Sequence, residues 1–158
     1  MTAIDPELWI LVHDSDLKEL SKGDLPPGVA EFLLDHPDVN VRWGMAANPN
    51  ADPTLLAKLA EDHDWQVRTK VAEHPKTPTA SLQKLAKDTH SQFSVATNPS
   101  TPPSILRGLA FDSSVHYTVL GQVARNPNTP VDALQHLAKN DHAETGAAAK
   151  ALKERGYA

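Results

Sequence analysis

Apolar residues recur along the chain in two alternating groups, and the alternation itself repeats. In ANPNADPTLLAKLAED (47–62), EHPKTPTASLQKLAKD (73–88), TNPSTPPSILRGLAFD (97–112) and RNPNTPVDALQHLAKN (125–140), a Leu-x-x-Leu-Ala group follows a proline. The groups are Leu56/Leu59/Ala60, Leu82/Leu85/Ala86, Leu106/Leu109/Ala110 and Leu134/Leu137/Ala138, spaced 26, 24 and 28 residues apart. Apolar residues at i, i+3 and i+4 form one face of an α-helix. Asp52, Thr77, Thr101 and Thr129 are N-cap types, and Pro53, Pro78, Pro102 and Pro130 suit a first turn. An Asp two residues past Leu-Ala (Asp62, Asp88 and Asp112, with Asn140 last) predicts an end to this helix and a cap for the next element.

Between these helices lies a second apolar group. It contains Val39, Val41, Met45 and Ala46, then Trp65, Val67, Val71 and Ala72, then Val119, Val123 and Ala124. The spacing predicts short helical pieces, 3₁₀-like, each cut off by Asn-Pro or His-Pro. The residue before a proline is pushed out of the αR region, so the chain turns there. Trp65 takes the slot of Val39 and is expected in the core. Asn48, Asn98 and Asn126 precede these prolines, with His74 in their place once. A stacked Asn column that satisfies turn backbone groups explains this, with His partly mimicking Asn.

One such unit cannot bury its apolar face, but stacked neighbours can. Five units are expected: 25–47, 48–73, 74–97, 98–125 and 126–152. Residues 1–24 read as an N-terminal cap and 147–158 as a closing helix stopped by Gly156. The expectation is a single all-α repeat domain over 1–158, without strands.

The run Asn-Pro-x-Thr-Pro-x-x-x-Leu-x-x-Leu-Ala-x-Asp followed by Val-Arg-x-x-Val-Ala resembles the leucine-rich repeat variant family over roughly 25–152. The resemblance implies a right-handed superhelix of alternating α- and 3₁₀-helices, related in shape to HEAT and armadillo arrays. Some members carry an N-terminal iron–sulfur module held by cysteines. With no Cys in this chain, that chemistry is not expected here. Val-Arg itself stands only at Val41-Arg42 and Val67-Arg68. The third unit has Ser91-Gln92 there and the fourth Val119-Leu120, so the outer face changes along the array.

Composition narrows the function classes. The chain has 158 residues, 40% hydrophobic but only 5% aromatic, so Leu and Ala do most of the packing. Absence of Cys excludes disulfides, thiolate metal sites and a Cys nucleophile, and suits a cytoplasmic setting. The N-terminus lacks the basic start of a signal peptide, and no apolar run approaches a membrane span. Net charge is −5, divided into −7 over 1–40 and +2 over 41–158. A strong nucleic-acid footprint is more basic than this.

No phosphate loop, nucleophile elbow or zincin motif occurs, so neither catalysis nor a cofactor is expected. His36, His63, His90, His116 and His142 recur in the interhelical loops. Stacked helices lie about 8–10 Å apart, too far for adjacent rungs to share one zinc ion. What remains is surface. One row runs through Arg42, Trp43, Arg68, Thr69, Lys70 and Phe93, and another through Lys58, Lys84, Arg107 and His136. Arg and aromatic residues are enriched at binding hot spots. The expected function is a non-catalytic scaffold that binds a protein or peptide through Arg42, Trp43, Arg68, Lys70, Phe93 and Arg107. The alternative is nucleic-acid binding through Arg42, Arg68, Lys70, Lys84 and Arg107.

Overall fold

A computed structural model describes residues 28–139 and 145–157. The expected N-terminal cap (1–24), Asn140 and His142 lie outside the described residues. Ten α-helices and no strand occur within them: α1 (Val29–Leu33), α2 (Val39–Ala47), α3 (Pro53–Leu59), α4 (Trp65–Glu73), α5 (Thr79–Leu85), α6 (Gln92–Thr97), α7 (Pro103–Phe111), α8 (Tyr117–Arg125), α9 (Val131–Lys139) and α10 (Thr145–Glu154). They form five consecutive pairs. The second helices α2, α4, α6, α8 and α10 pack each on the next in an unbroken row. Among the first helices, α7 and α9 pack closely together.

The predicted leucines build the core. Leu56, Leu59, Leu82, Leu85, Leu106, Leu109, Leu134 and Leu137 are all buried, together with Val67, Val71, Val95, Val119 and Val123 from the second helices. Each leucine buried this way contributes about 1.5–3 kcal/mol.

The second elements are α-helices, not the 3₁₀-like pieces expected. Asp38 and Asp64 cap α2 and α4, accepting from the N–H groups of Asn40 and Gln66 at 2.8 Å. The pre-proline residues Asn48, His74, Asn98 and Asn126 are extended C-caps. The proline constraint therefore falls outside the helix, leaving room for nine-residue helices in α2, α4 and α8.

Two more expectations change. Asp52 caps α3 as foreseen, accepting from the Leu55 N–H at 2.9 Å. Thr77 and Thr101 do not cap the helices they precede. Their hydroxyls turn back and donate to Val71 O at 2.5 Å and Val95 O at 2.7 Å, and Thr129 does the same to Val123 O. They close the preceding helix at its last carbonyls, where Val71 O and Val123 O also accept from the N–H groups of His74 and Asn126. Trp65 is 48% exposed rather than core. It opens α4 and its ring lies 5.3 Å from that of His90.

At the C-terminus, Gly156 has φ 79°. The N–H of Tyr157 donates to Leu152 O at 3.0 Å and that of Gly156 to Lys153 O at 3.1 Å, a Schellman stop for α10. No helix among the described residues is long and apolar enough to cross a membrane.

Candidate functional site

Two of the expected binding residues are drawn inward. Arg42 is only 2% exposed. Its Nε donates to Asp62 Oδ2 at 2.7 Å and its Nη2 to Asp62 Oδ1 at 3.2 Å. Nη1 donates to His36 O at 2.5 Å. Arg68 repeats this, with Nε to Asp88 Oδ2 at 2.8 Å and Nη1 to Asp62 O at 2.8 Å. Each arginine ties its own interhelical loop to the loop of the next unit. The hydrogen bonds that Arg42 donates to the Asp62 carboxylate hold it firmly protonated, above its ordinary pKa. Burial pushes the Asp88 carboxyl up, but hydrogen bonds from Arg68, the His90 N–H and Ser91 outweigh it, and the net shift is downward.

A second polar column runs through the turns that end the second helices. Asn98 Nδ2 donates to Ala72 O (2.7 Å) and His74 O (3.0 Å), and Asn126 Nδ2 to Ala96 O (2.8 Å) and Asn98 O (3.0 Å). Their Oδ1 atoms accept from the N–H groups of Ser100 and Asn128. His74 fills the same role with its ring, as the sequence pattern predicts. Arg155 closes the column, reaching Thr129 O at 2.6 Å and Asn126 O at 3.1 Å.

The surface of the second helices gathers the remaining candidates. Trp43, Thr69 and Phe93 occupy equivalent positions, each five residues before its column residue. Trp43 is 42% and Phe93 46% exposed, large apolar groups facing solvent. Lys70 Nζ sits 5.1 Å from the centre of the Trp43 ring and 3.0 Å from Glu73 Oε2. Glu73 Oε1 accepts from Ser94 Oγ at 3.4 Å. Trp43, Lys70, Glu73 and Ser94 thus form one lateral chain across α2, α4 and α6. A groove of about 220 Å³ opens beside it, lined by Ala46, Ala47, Lys70, Glu73 and His74.

Arg107 lies elsewhere, on the first-helix row. Its Nε meets Asp132 Oδ2 at 2.5 Å, and its guanidinium lies 4.8 Å from the centre of the Phe111 ring. Lys58 pairs with Glu31 at 2.8 Å, and Lys84 pairs with Glu61. These hydrogen-bonded pairs lower the carboxyl pKa of Glu31 and Asp132. All five cations of the nucleic-acid alternative, Arg42, Arg68, Lys70, Lys84 and Arg107, therefore face an acid.

A cleft of about 600 Å³ near Arg107 was not foreseen, lined by Phe111, Val115, His116, Tyr117, Leu120 and His136. Phe111 stacks on His136 at 4.2 Å. The signal was present: Phe111 follows Leu-Ala where the other units place Glu61, Lys87 and Lys139.

The loop histidines do separate local jobs. His36 Nδ1 accepts from the Asp38 N–H, His63 meets Arg42, and His116 caps α8. Among the described residues no group of three or more His, Asp or Glu side chains could hold a metal ion.

No protein-family model, no curated protein and no solved structure matches this chain.

Proposed function

We propose that the chain is a non-catalytic scaffold of the leucine-rich repeat variant type, binding a protein segment on its second-helix face. The observation that carries this is the pairing of two half-exposed aromatics, Trp43 and Phe93, at equivalent positions on α2 and α6, with Lys70 and Glu73 between them. Exposed aromatics beside a few charged groups are the chemistry of protein-interface hot spots. The closer packing of the second-helix row supports an array that curves with this row on its inside. The aromatic anchors would enter apolar pockets of the partner, while Lys70 and Glu73 would set its register. The nucleic-acid reading has less support, because its cations are already paired.

The test is capture from a nuclease-treated lysate by tagged protein, comparing wild type with Trp43→Ser and Phe93→Ser, and with Phe111→Ser as control. A protein partner lost with Trp43→Ser and Phe93→Ser but kept with Phe111→Ser supports the reading. The expected weakening is roughly 30-fold for a hot spot of about 2 kcal/mol. A partner lost only with Phe111→Ser moves the site to the aromatic cleft. Recovery of nucleic acid alone would overturn the proposal.

A further inference from the structure

We propose that the joint between the ends of α2 and α4 is acid-sensitive, loosening when the His74 ring takes up a second proton. The inference does not depend on what, if anything, the second-helix face binds.

At the equivalent places Asn98 and Asn126 donate through Nδ2 and accept through Oδ1. His74 does both with one ring. Its Nε2 lies 3.0 Å from Asn48 O, and its Nδ1 lies 3.1 Å from the Lys76 N. A backbone carbonyl only accepts and a backbone N–H only donates. The two contacts together require a neutral ring with its proton on Nε2. Asparagine has no other state near neutral pH, but histidine does. A proton added at Nδ1 would point at the N–H of Lys76. That bond would be lost and two donors would face each other, with a charge placed in a site only 6% exposed.

The surroundings offer little compensation. Lys70 and Glu73 of α4 line the groove beside the ring, already paired with each other, and Lys76 follows in the turn. α2 contributes only Arg42 as an ionisable residue, and that is committed to Asp62. α6 and the 98–101 turn carry none. Asp52 of the 48–52 turn caps α3, while Lys58 of α3 and Lys84 of α5 are paired with Glu31 and Glu61. Burial lowers the His74 pKa, the Asn48 carbonyl opposes the shift, and Lys76 and Lys70 add to it.

The sign follows. A histidine depressed in the folded state leaves its joint intact above the unfolded value of about 6.5. As pH falls below that, the open form binds the proton and the closed form does not, so opening becomes easier. The other column turns, at 98–101 and 126–129, have no group that can do this.

The experiment is amide hydrogen exchange from about pH 7.5 to about pH 5, each rate divided by its intrinsic value. Protection at Lys76 and Thr77 is expected to fall by up to about tenfold per pH unit, the limit for one proton taken up on opening. Protection at Ser100, Thr101, Asn128 and Thr129 stays level, and His74→Asn removes the fall at Lys76. Equal losses in all three turns, a flat response, or a fall that survives His74→Asn would overturn the proposal. If His74→Asn does not fold, ring nitrogen shifts of the wild type decide. A neutral Nε2–H ring at pH 7 that titrates in step with the loss at Lys76 supports it, and the opposite tautomer refutes it.

Discussion

Two rows of polar residues run along the array, and only one of them is continuous. The turn column passes from His74 through Asn98 and Asn126 to Arg155 without a break. The arginine row stops early: Arg42 meets Asp62 and Arg68 meets Asp88, but Gln92 stops at Ala86 O and Leu120 has no polar reach. The difference lies in what each row serves. The column satisfies buried backbone carbonyls, which exist whatever the side chains are, so every unit needs a donor there. The arginines serve carboxylates, and a unit can do without the pair if its acid moves to solvent. Asp112 has done so: it is exposed and held by Ser114, whose hydrogen bonds keep its carboxyl below the usual range.

The comparison breaks first at Arg42. Removing it with Arg42→Ala leaves the Asp62 carboxylate, 4% exposed, without its cation. Losing one partner of a buried pair costs about 3–5 kcal/mol. Arg68→Ala, at the looser pair with Asp88, is expected to cost about 1 kcal/mol. Urea unfolding of the two variants measures the contrast. Equal losses would mean that burial does not grade the row.

Next comes the column. Asn126→Ala strands the carbonyl of Ala96 and the N–H of Asn128, and takes away one of the two donors to Asn98 O, which keeps the Thr101 N–H. Leaving such groups unpaired costs about 1–3 kcal/mol. Asn126→His is expected to lose less, because His74 shows that an imidazole fits this geometry. Thermal unfolding near pH 8 ranks the two. If Asn126→His proves the worse variant, the fit at His74 is particular to its own turn.

The leucine periodicity made the core and the five units legible, since burial repeats with the helix period and proline marks each boundary. The Asn column was legible too, because one residue type recurred before one fixed neighbour. The fate of the arginines was not. A Val-Arg step on a helix looks the same whether the guanidinium meets solvent or the next unit. A clue lay across units: Arg42 and Asp62, and Arg68 and Asp88, stand 20 residues apart, as do Gln92 and Asp112. Acid and cation weaken together along the chain, which marks a contact between units. Thr77 and Thr101 misled for a related reason. A hydroxyl beside a proline can serve the helix ahead or the one behind, and local sequence does not say which.

The smallest effect tests whether the broken row can be mended. Gln92 Nε2 donates to Ala86 O at 3.1 Å, six residues back, as Arg42 and Arg68 do to His36 O and Asp62 O. Gln92→Arg keeps a donor for that carbonyl and adds reach toward Asp112. The gain is held down by exposure and by Ser114, which already donates to Asp112 Oδ1 through Oγ at 2.6 Å and through its N–H at 2.9 Å. An exposed pair of this kind adds about 0–1 kcal/mol and weakens with salt. Urea unfolding at low and high salt should show a small stabilisation that shrinks with salt and disappears when Asp112→Asn is added. A gain that ignores both salt and Asp112→Asn would come from the longer side chain's packing. A loss would mean that the fourth unit, with two more residues between Leu-Ala and Val119-Leu120 than the second unit has before Val67-Arg68, holds Asp112 out of reach, so that its length and not Gln92 ended the row.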